Sequence, residues 1–174
     1  MLASAMRGAL RERITRAVLL DEDVYEDISH DEGATGQALL VVVLGALAAG
    51  IGALSAGPTG FAVVVIAALF GWAAYAYVAF WVATRWFKAE DKPATRGALV
   101  RTLGFASAPR LLLVLGAMPL LGGLLSLLVF VWLLGTTVLA VRQALGFDLW
   151  RGMATAGVSW LVLFALSLLT AFFV

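Results

Sequence analysis

Long apolar stretches dominate the chain and are separated by short polar or charged links. They lie at 38–56, 61–84, 101–118, 120–141 and 152–174. A bilayer core about 30 Å thick is crossed by roughly 20 helical residues, so each stretch is close to the length of one crossing. The pattern predicts an all-α fold, an integral membrane bundle of five transmembrane helices.

The division between the third and fourth stretches depends on one proline and two glycines. No charged residue lies between 111 and 141, and one helix of that length would overshoot a single crossing. Pro119, Gly122 and Gly123 fit a tight turn between two antiparallel helices. The run is therefore divided into two spans.

Charged residues are few, with 12 basic and 11 acidic side chains against 63% hydrophobic residues. With five spans, the basic residues outside the helices fall on one face: Arg7, Arg11, Arg13 and Arg16, then Arg85, Lys88, Lys92, Arg96 and Arg101, then Arg142 and Arg151. Trp86 and Trp150 lie beside these bases, as in an aromatic belt. The positive-inside rule predicts a cytoplasmic amino terminus and a carboxyl terminus outside.

Residues 1–36 are predicted to form a cytoplasmic region that precedes the membrane domain at 37–174. An apolar residue recurs every four positions, at Leu2, Met6, Leu10, Ile14 and Val18. This spacing predicts an amphipathic helix. Either the helix lies on the inner membrane surface with Arg7, Arg11 and Arg16 near anionic headgroups, or it packs on the protein's own cytoplasmic loops.

An acidic stretch follows this helix and matches a calcium-binding loop only in part. Asp21, Asp23 and Glu32 match three ligand positions of an EF-hand loop, but Glu26 stands where glycine is needed. His30 is the only histidine, and the chain has no cysteine. We expect a solvated acidic linker, no metal site, no cofactor and no catalysis.

Arg110 is the one basic residue placed well inside a predicted span, and Pro109 precedes it. An arginine near the bilayer centre costs roughly 2.5–3.5 kcal/mol on insertion scales. Arg110 could line a polar pathway or meet a partner's carboxylate. Alternatively, Pro109 opens the lipid-buried helix, residues 101–108 lie along the interface, and Arg110 reaches the lipid phosphates.

Small residues recur at helical spacing in the first two spans. They are Gly45, Ala49 and Ala53 on one face of the first span, Gly50 on an adjacent face, and Gly71 in the second span. Such rows let helix backbones approach closely in lipid. They are predicted to pack helices within the monomer or, alternatively, to form a dimer seam.

Four short motifs carry a resemblance to a known family. They are Asp23-Val24-Tyr25-Glu26-Asp27, Ala34-Thr35-Gly36-Gln37-Ala38, Gly104-Phe105-Ala106-Ser107-Ala108-Pro109 and Gly146-Phe147. Together with the five spans, they resemble the Yip-domain proteins, a membrane family named for eukaryotic members that interact with Rab-type GTPases. The resemblance covers nearly the whole chain, and it makes Tyr25 and Pro109 candidate contacts to a partner or to lipid. Ten arginines against two lysines favour a bacterial member.

The resemblance implies a scaffold or adaptor that organises membrane proteins or lipid in a bacterial cytoplasmic membrane. Its expected partners are membrane lipids and other integral membrane proteins, with a homo-oligomer left open and no nucleic acid. One alternative is a permeation protein that uses Arg110, Ser107, Thr136 and Thr137 as a polar path. Another is an accessory subunit of a larger energy-converting complex.

The one-sided distribution of basic residues yields a topology prediction. A reporter fused after Val174 is expected to be active outside the cytoplasm, and a reporter inserted at Lys92 is expected to be active inside it. Paired alkaline phosphatase and fluorescent protein fusions measure both sides of the membrane. Cytoplasmic activity at Val174 would rule out the five-span arrangement.

Overall fold

The computed structural model describes residues 2–87, 95–118 and 122–173, and its regular structure is helical. The α-helices are α1 (Leu2–Val18), α2 (Glu22–His30), α3 (Ala34–Gly52), α4 (Gly57–Trp86), α5 (Arg96–Ala106), α6 (Gly122–Leu145) and α7 (Leu149–Phe173). A 3₁₀ helix, Leu54–Ala56, joins α3 to α4, and a second, Ala108–Ala117, follows α5.

Four segments of the described chain are long and apolar enough to cross a membrane. They are Ala34–Gly52, Leu54–Trp86, Arg96–Ala117 and Gly122–Leu145, and α7 adds an apolar helix over Leu149–Ala165. The predicted all-α membrane bundle is therefore confirmed. Lys88, Lys92 and residues 119–121 of the predicted turn lie outside the described residues.

The third segment, Arg96–Ala117, changes from an α-helix to a 3₁₀ helix at Ser107. Pro109 has no backbone N–H, so it cannot donate to the Phe105 carbonyl as a continuing α-helix would require. The Ser107 N–H instead donates to the Gly104 carbonyl at 3.2 Å, and the Arg110 N–H donates to the Ser107 carbonyl at 3.0 Å. Both bonds have the shorter spacing of a 3₁₀ helix.

The break removes the α-helical donors of the Leu103 and Ala106 carbonyls, and side chains of neighbouring helices replace them. Trp72 Nε1 in α4 donates to the Leu103 carbonyl at 3.2 Å, and Thr136 Oγ1 in α6 donates to the Ala106 carbonyl at 2.9 Å. An unsatisfied backbone group in the bilayer core costs several kcal/mol because no water can bond to it. These donors allow the break to lie inside the bundle.

The residues around the break are enclosed by other helices. Every residue from 101 to 109 is buried. In either alternative for this segment, residues 101–108 are therefore covered by other parts of the chain. Arg101, which was expected outside the helices, lies within α5 and is 8% exposed.

The acidic stretch that was predicted to be a linker is the helix α2. The Asp21 side chain caps it by accepting a hydrogen bond from the Asp23 N–H at 3.1 Å. Val24, Tyr25 and Ile28 form its inner face and are at most 2% exposed. This i, i+1, i+4 pattern makes α2 amphipathic, and its apolar face holds it against the bundle. We call α1 and α2 together the amino-terminal cap.

The first helix of the cap ends in a left-handed residue that is not glycine. Leu20 has a φ of 61°, and the following Asp21 N–H donates to the Arg16 carbonyl, as in a Schellman ending. The Val18 carbonyl accepts a hydrogen bond from Trp132 Nε1 in α6 at 2.8 Å. A left-handed leucine costs roughly 1 to 2 kcal/mol, so contacts with the bundle must hold this turn.

Arg101 fixes the second helix of the cap. Its Nε donates to the Ile28 carbonyl at 3.1 Å and its Nη2 to the Ser29 carbonyl at 2.5 Å, which places a cation at the negative end of α2. Arg142 near the end of α6 pairs with Glu22 at 2.7 Å. The cap therefore lies at the end of the bundle where α5 begins and α6 ends.

A close approach of α5 to α3 joins two of the family-like motifs. A Cβ atom on Gly104 of α5 would lie 2.6 Å from the Ala38 Cβ and 2.9 Å from the Ala38 carbonyl oxygen in α3. Real Cβ atoms are not found that close to backbone, so only glycine fits at position 104 without movement of α3.

Gly104→Ala is expected to lower the free energy of unfolding by about 1–3 kcal/mol, because the added methyl group overlaps α3 backbone. Gly36→Ala is the matched control, since a Cβ at Gly36 meets nothing within 4 Å. Thermal unfolding of both variants in the same detergent measures the difference. Equal melting temperatures for the two variants would contradict this close approach.

The ion pair between Arg13 and Asp31 yields a pH prediction. Arg13 Nη2 lies 2.6 Å from Asp31 Oδ2, and this hydrogen bond lowers the pKa of the Asp31 carboxyl below its ordinary value. A lowered pKa stabilises the fold above the ordinary aspartate pKa, and this contribution is lost as the pH falls through the lowered value. Because both side chains are partly exposed, the contribution is about 1 kcal/mol or less.

Asp31→Asn is therefore expected to melt slightly below the parent chain at pH 7, and the gap is expected to narrow as the pH falls below the ordinary aspartate pKa. Glu32→Gln is the control for the loss of a neighbouring exposed carboxylate. Thermal unfolding between pH 7 and pH 3 measures the difference. A gap between parent and Asp31→Asn that does not change with pH would contradict the ion pair.

Candidate functional site

A cavity of about 680 Å³ lies between α4, the third segment, α6 and α7. Ligand pockets in proteins span roughly 300–1,000 Å³. Its walls are mostly apolar and come from all four elements: Gly71, Trp72 and Tyr75; Leu103, Ser107 and Arg110; Phe130, Leu133 and Thr137; Gly157, Trp160, Leu161, Leu163 and Phe164.

Arg110 is the cation of this cavity. It follows the break at Pro109, and its stem lies against α3, where a Cβ on Gly45 would come within 3.2 Å of the Arg110 Cβ. Its Nη1 donates to the Ala68 carbonyl of α4 over a long 3.4 Å. Gly45 and Ala68 lie near the midpoints of their helices, so Arg110 lies well inside the bundle and is partly buried.

Aromatic rings tie three walls of the cavity together. The Trp160 ring of α7 lies 5.4 Å from the Tyr75 ring of α4 and 5.6 Å from the Phe130 ring of α6, in tilted and edge-on arrangements. Tyr75 Oη donates to the Ala156 carbonyl at 3.4 Å. Trp160 Nε1 is buried and has no hydrogen-bond partner among the described residues.

Two hydroxyl groups of the predicted polar path line the cavity and the third does not. Ser107 and Thr137 line the cavity with Arg110, but Ser107 Oγ donates to the Gly104 carbonyl at 2.6 Å and Thr137 Oγ1 to the Leu133 carbonyl at 2.6 Å. Thr136 is not part of the lining and bonds the Ala106 carbonyl instead. The two lining hydroxyls are thus committed to backbone carbonyls of their own segments.

Two of the predicted contact residues are enclosed by the protein. Tyr25 is 0% exposed, and its Oη donates to the Ala17 carbonyl at 3.1 Å. Burial raises the pKa of the Tyr25 hydroxyl far above its ordinary value. Pro109 is also buried. Neither side chain can meet a partner or lipid at the surface, and their roles are to fix the cap and to break the third segment.

The amino-terminal arginines differ in their surroundings. Arg11 is exposed, Arg16 bonds Asp21 at 2.7 Å, and the side chain of Arg7 lies outside the described residues. Leu10 and Ile14 pack against the core, so this part of α1 lies against the protein itself. Arg13, which interrupts the apolar stripe, reaches Asp31 instead of lipid.

The predicted small-residue positions differ in what they contact. Gly45 meets Arg110, and a Cβ on Gly50 would lie 2.5 Å from a Val65 methyl group in α4, so both lie at contacts within the chain. Ala49 and Ala53 are partly buried. A Cβ on Gly71 would meet nothing within 4 Å, because this glycine borders the cavity.

Comparison with known protein families shows a match over most of the chain. The sequence model of the Yip1 domain matches residues 17–171, from the end of α1 almost to the end of α7. No curated protein and no solved structure matches the chain significantly. The matched region includes the cavity, the break at Pro109 and the residues that hold α2.

Proposed function

Because the chain belongs to the Yip1 domain family, we propose that it is a non-catalytic scaffold or adaptor of the bacterial cytoplasmic membrane. In this role it organises other integral membrane proteins or lipid through its surfaces, and it performs no reaction of its own.

The observation that carries this proposal is the firm attachment of the amino-terminal cap. The inner face of α2 is fully used by packing, and its last carbonyls are held by Arg101. Its outer face presents Asp23 and Asp27, which are exposed and one helical turn apart. A charged surface with a fixed position relative to the membrane helices suits recognition of a protein partner.

The proposed orientation places the cap in the cytoplasm. Glu22 of the cap pairs with Arg142, so the cap lies at the end of the bundle where α6 ends. Trp86 and Trp150 are largely exposed at the end of α4 and the start of α7, as in an aromatic belt. The positive-inside rule then favours the cytoplasm for this end.

A permeation function is the second candidate, and its support is that Arg110, Ser107 and Thr137 line one cavity. Against it, both hydroxyls are bonded to backbone carbonyls, and the rest of the lining is mostly apolar. Solute flux through the chain reconstituted alone would favour this function. Recovery of the chain only within a larger assembly that carries out electron or ion transfer would favour the accessory-subunit role.

The scaffold proposal predicts specific co-purification. The tagged parent chain, isolated in a mild detergent, is expected to carry associated membrane proteins that mass spectrometry identifies. Asp23→Lys with Asp27→Lys is expected to reduce their recovery at least about fivefold, because like charges then oppose the partner's surface.

Glu12→Lys with Glu32→Lys is the matched control. It changes the charge of the chain by the same amount at exposed positions outside α2 and is expected to retain the partners. Isolation of the parent chain alone in several mild detergents would contradict the scaffold function. Equal recovery from all three proteins would contradict the assignment of the contact to α2.

A further inference from the structure

The charge of Arg110 requires an anion, and no acidic side chain among the described residues is paired with it. A guanidinium stays protonated in proteins and carries five N–H donors, of which the structure commits one to a long bond with the Ala68 carbonyl. The sequence has no acidic residue between 33 and 89 or between 92 and 147, so no carboxylate lies in the first four spans. The ion pairs of the described residues all involve acids of the cap or its borders.

The cavity beside Arg110 favours a ligand with a long apolar part. Its walls are rings and aliphatic side chains, including Trp72, Phe130 and Trp160. A small hydrated anion would lose its water there and gain little from these walls. A neutral lipid would fill the space but leave the cation unpaired. Only a molecule with both an anionic group and a hydrocarbon chain matches both features.

The size of the cavity limits the hydrocarbon part to one chain. A cavity of 150 Å³ holds a benzene ring, so one of about 680 Å³ has room for roughly 25 carbon atoms. This corresponds to a single acyl chain with a compact headgroup. The second chain of a diacyl lipid would have to lie outside the cavity.

The cavity also opens toward the lipid-facing side of the bundle. Phe130, Leu161 and Phe164 belong to its lining, yet they are 45%, 67% and 61% exposed. In a chain whose helices span a membrane, this exposed side faces the acyl chains of the bilayer. A ligand dissolved in the bilayer can therefore enter sideways without crossing water.

We propose that this cavity binds a single-chain anionic amphiphile, whose carboxylate or phosphate headgroup pairs with Arg110 while its acyl chain lies along the aromatic walls. An acceptor oxygen of the headgroup could also supply the missing partner of Trp160 Nε1. Two kinds of molecule combine an anionic headgroup with one acyl chain: a free fatty acid and a lysophospholipid with a terminal phosphate. The site requires no partner protein, so it does not depend on the scaffold function.

A photoreactive fatty acid with a diazirine on its chain tests the proposal in nanodiscs of phosphatidylcholine that contain the full-length chain. Saturable labelling of cavity residues such as Phe130 and Trp160, mapped by mass spectrometry, is the expected result. A photoreactive fatty alcohol of equal length is the matched ligand and is expected to label at least about tenfold less, because it lacks the charge. Equal labelling by acid and alcohol would overturn the proposal.

Variants at Arg110 and Gly157 test separately the charge of Arg110 and the free volume of the cavity. Arg110→Gln is expected to weaken saturable labelling at least about tenfold, and Arg110→Lys is expected to retain part of it. Arg85→Gln, which neutralises an exposed arginine at the end of α4, is the control and should label like the parent. Gly157→Phe fills the cavity at a position where a Cβ meets nothing within 4 Å, so it should fold and still lose labelling.

Competition between the photoreactive fatty acid and unlabelled lipids shows whether the headgroup is a carboxylate or a phosphate. Unlabelled fatty acid that displaces the probe more strongly than lysophosphatidic acid supports a carboxylate ligand, and the reverse order supports a phosphate monoester. Displacement by inorganic phosphate alone would overturn the amphiphile and indicate a small-anion site. Labelling that survives in both Arg110→Gln and Gly157→Phe would place the lipid outside this cavity and also overturn the proposal.

Discussion

Helix-end carbonyls that must be satisfied away from water are the constraint on which this structure depends. Three helices end inside or against the bundle, and each receives donors from another element. Trp132 donates a hydrogen bond to a carbonyl at the end of α1, and Arg101 donates to the last carbonyls of α2. Trp72 and Thr136 donate to carbonyls at the end of α5. Because a carbonyl that is buried away from water has no alternative donor, these side chains decide where the helices can stop. The same bonds fix the cap to the membrane helices.

The overall fold could be predicted because spans in lipid leave a strong pattern in the sequence, and the all-α bundle and the Yip1 family were both correct. Helix α2 could not be recognised so easily, since its many acids hid the apolar pattern of Val24, Tyr25 and Ile28. The contact of Arg101 with α2 could not be predicted either. An arginine at the border of a span looks like an interfacial charge, and only the tertiary contact reveals that it ends α2.

Only part of the candidate site could be predicted from the sequence. Arg110 stood out because a base in a span is rare. The residues that form the walls of the cavity could not be predicted. No periodicity in the sequence shows which tryptophan of a span faces a neighbouring helix and which faces lipid. The family-like motifs gain physical meaning only in three dimensions: Gly146 adopts a φ of 65° to end α6, and Gly104 lets α5 touch Ala38.

The break in the third segment and the position of Arg110 have a common cause. Pro109 forces the change to a 3₁₀ helix, whose tighter winding redirects the residues that follow. Arg110 is the next residue, and it fits against α3 because Gly45 has no side chain there. A regular α-helix through position 109 would turn residue 110 to a different direction. The carbonyl donors from Trp72 and Thr136 thus stabilise a break that also sets a cation beside an apolar cavity, which links the stability of the fold directly to its candidate site.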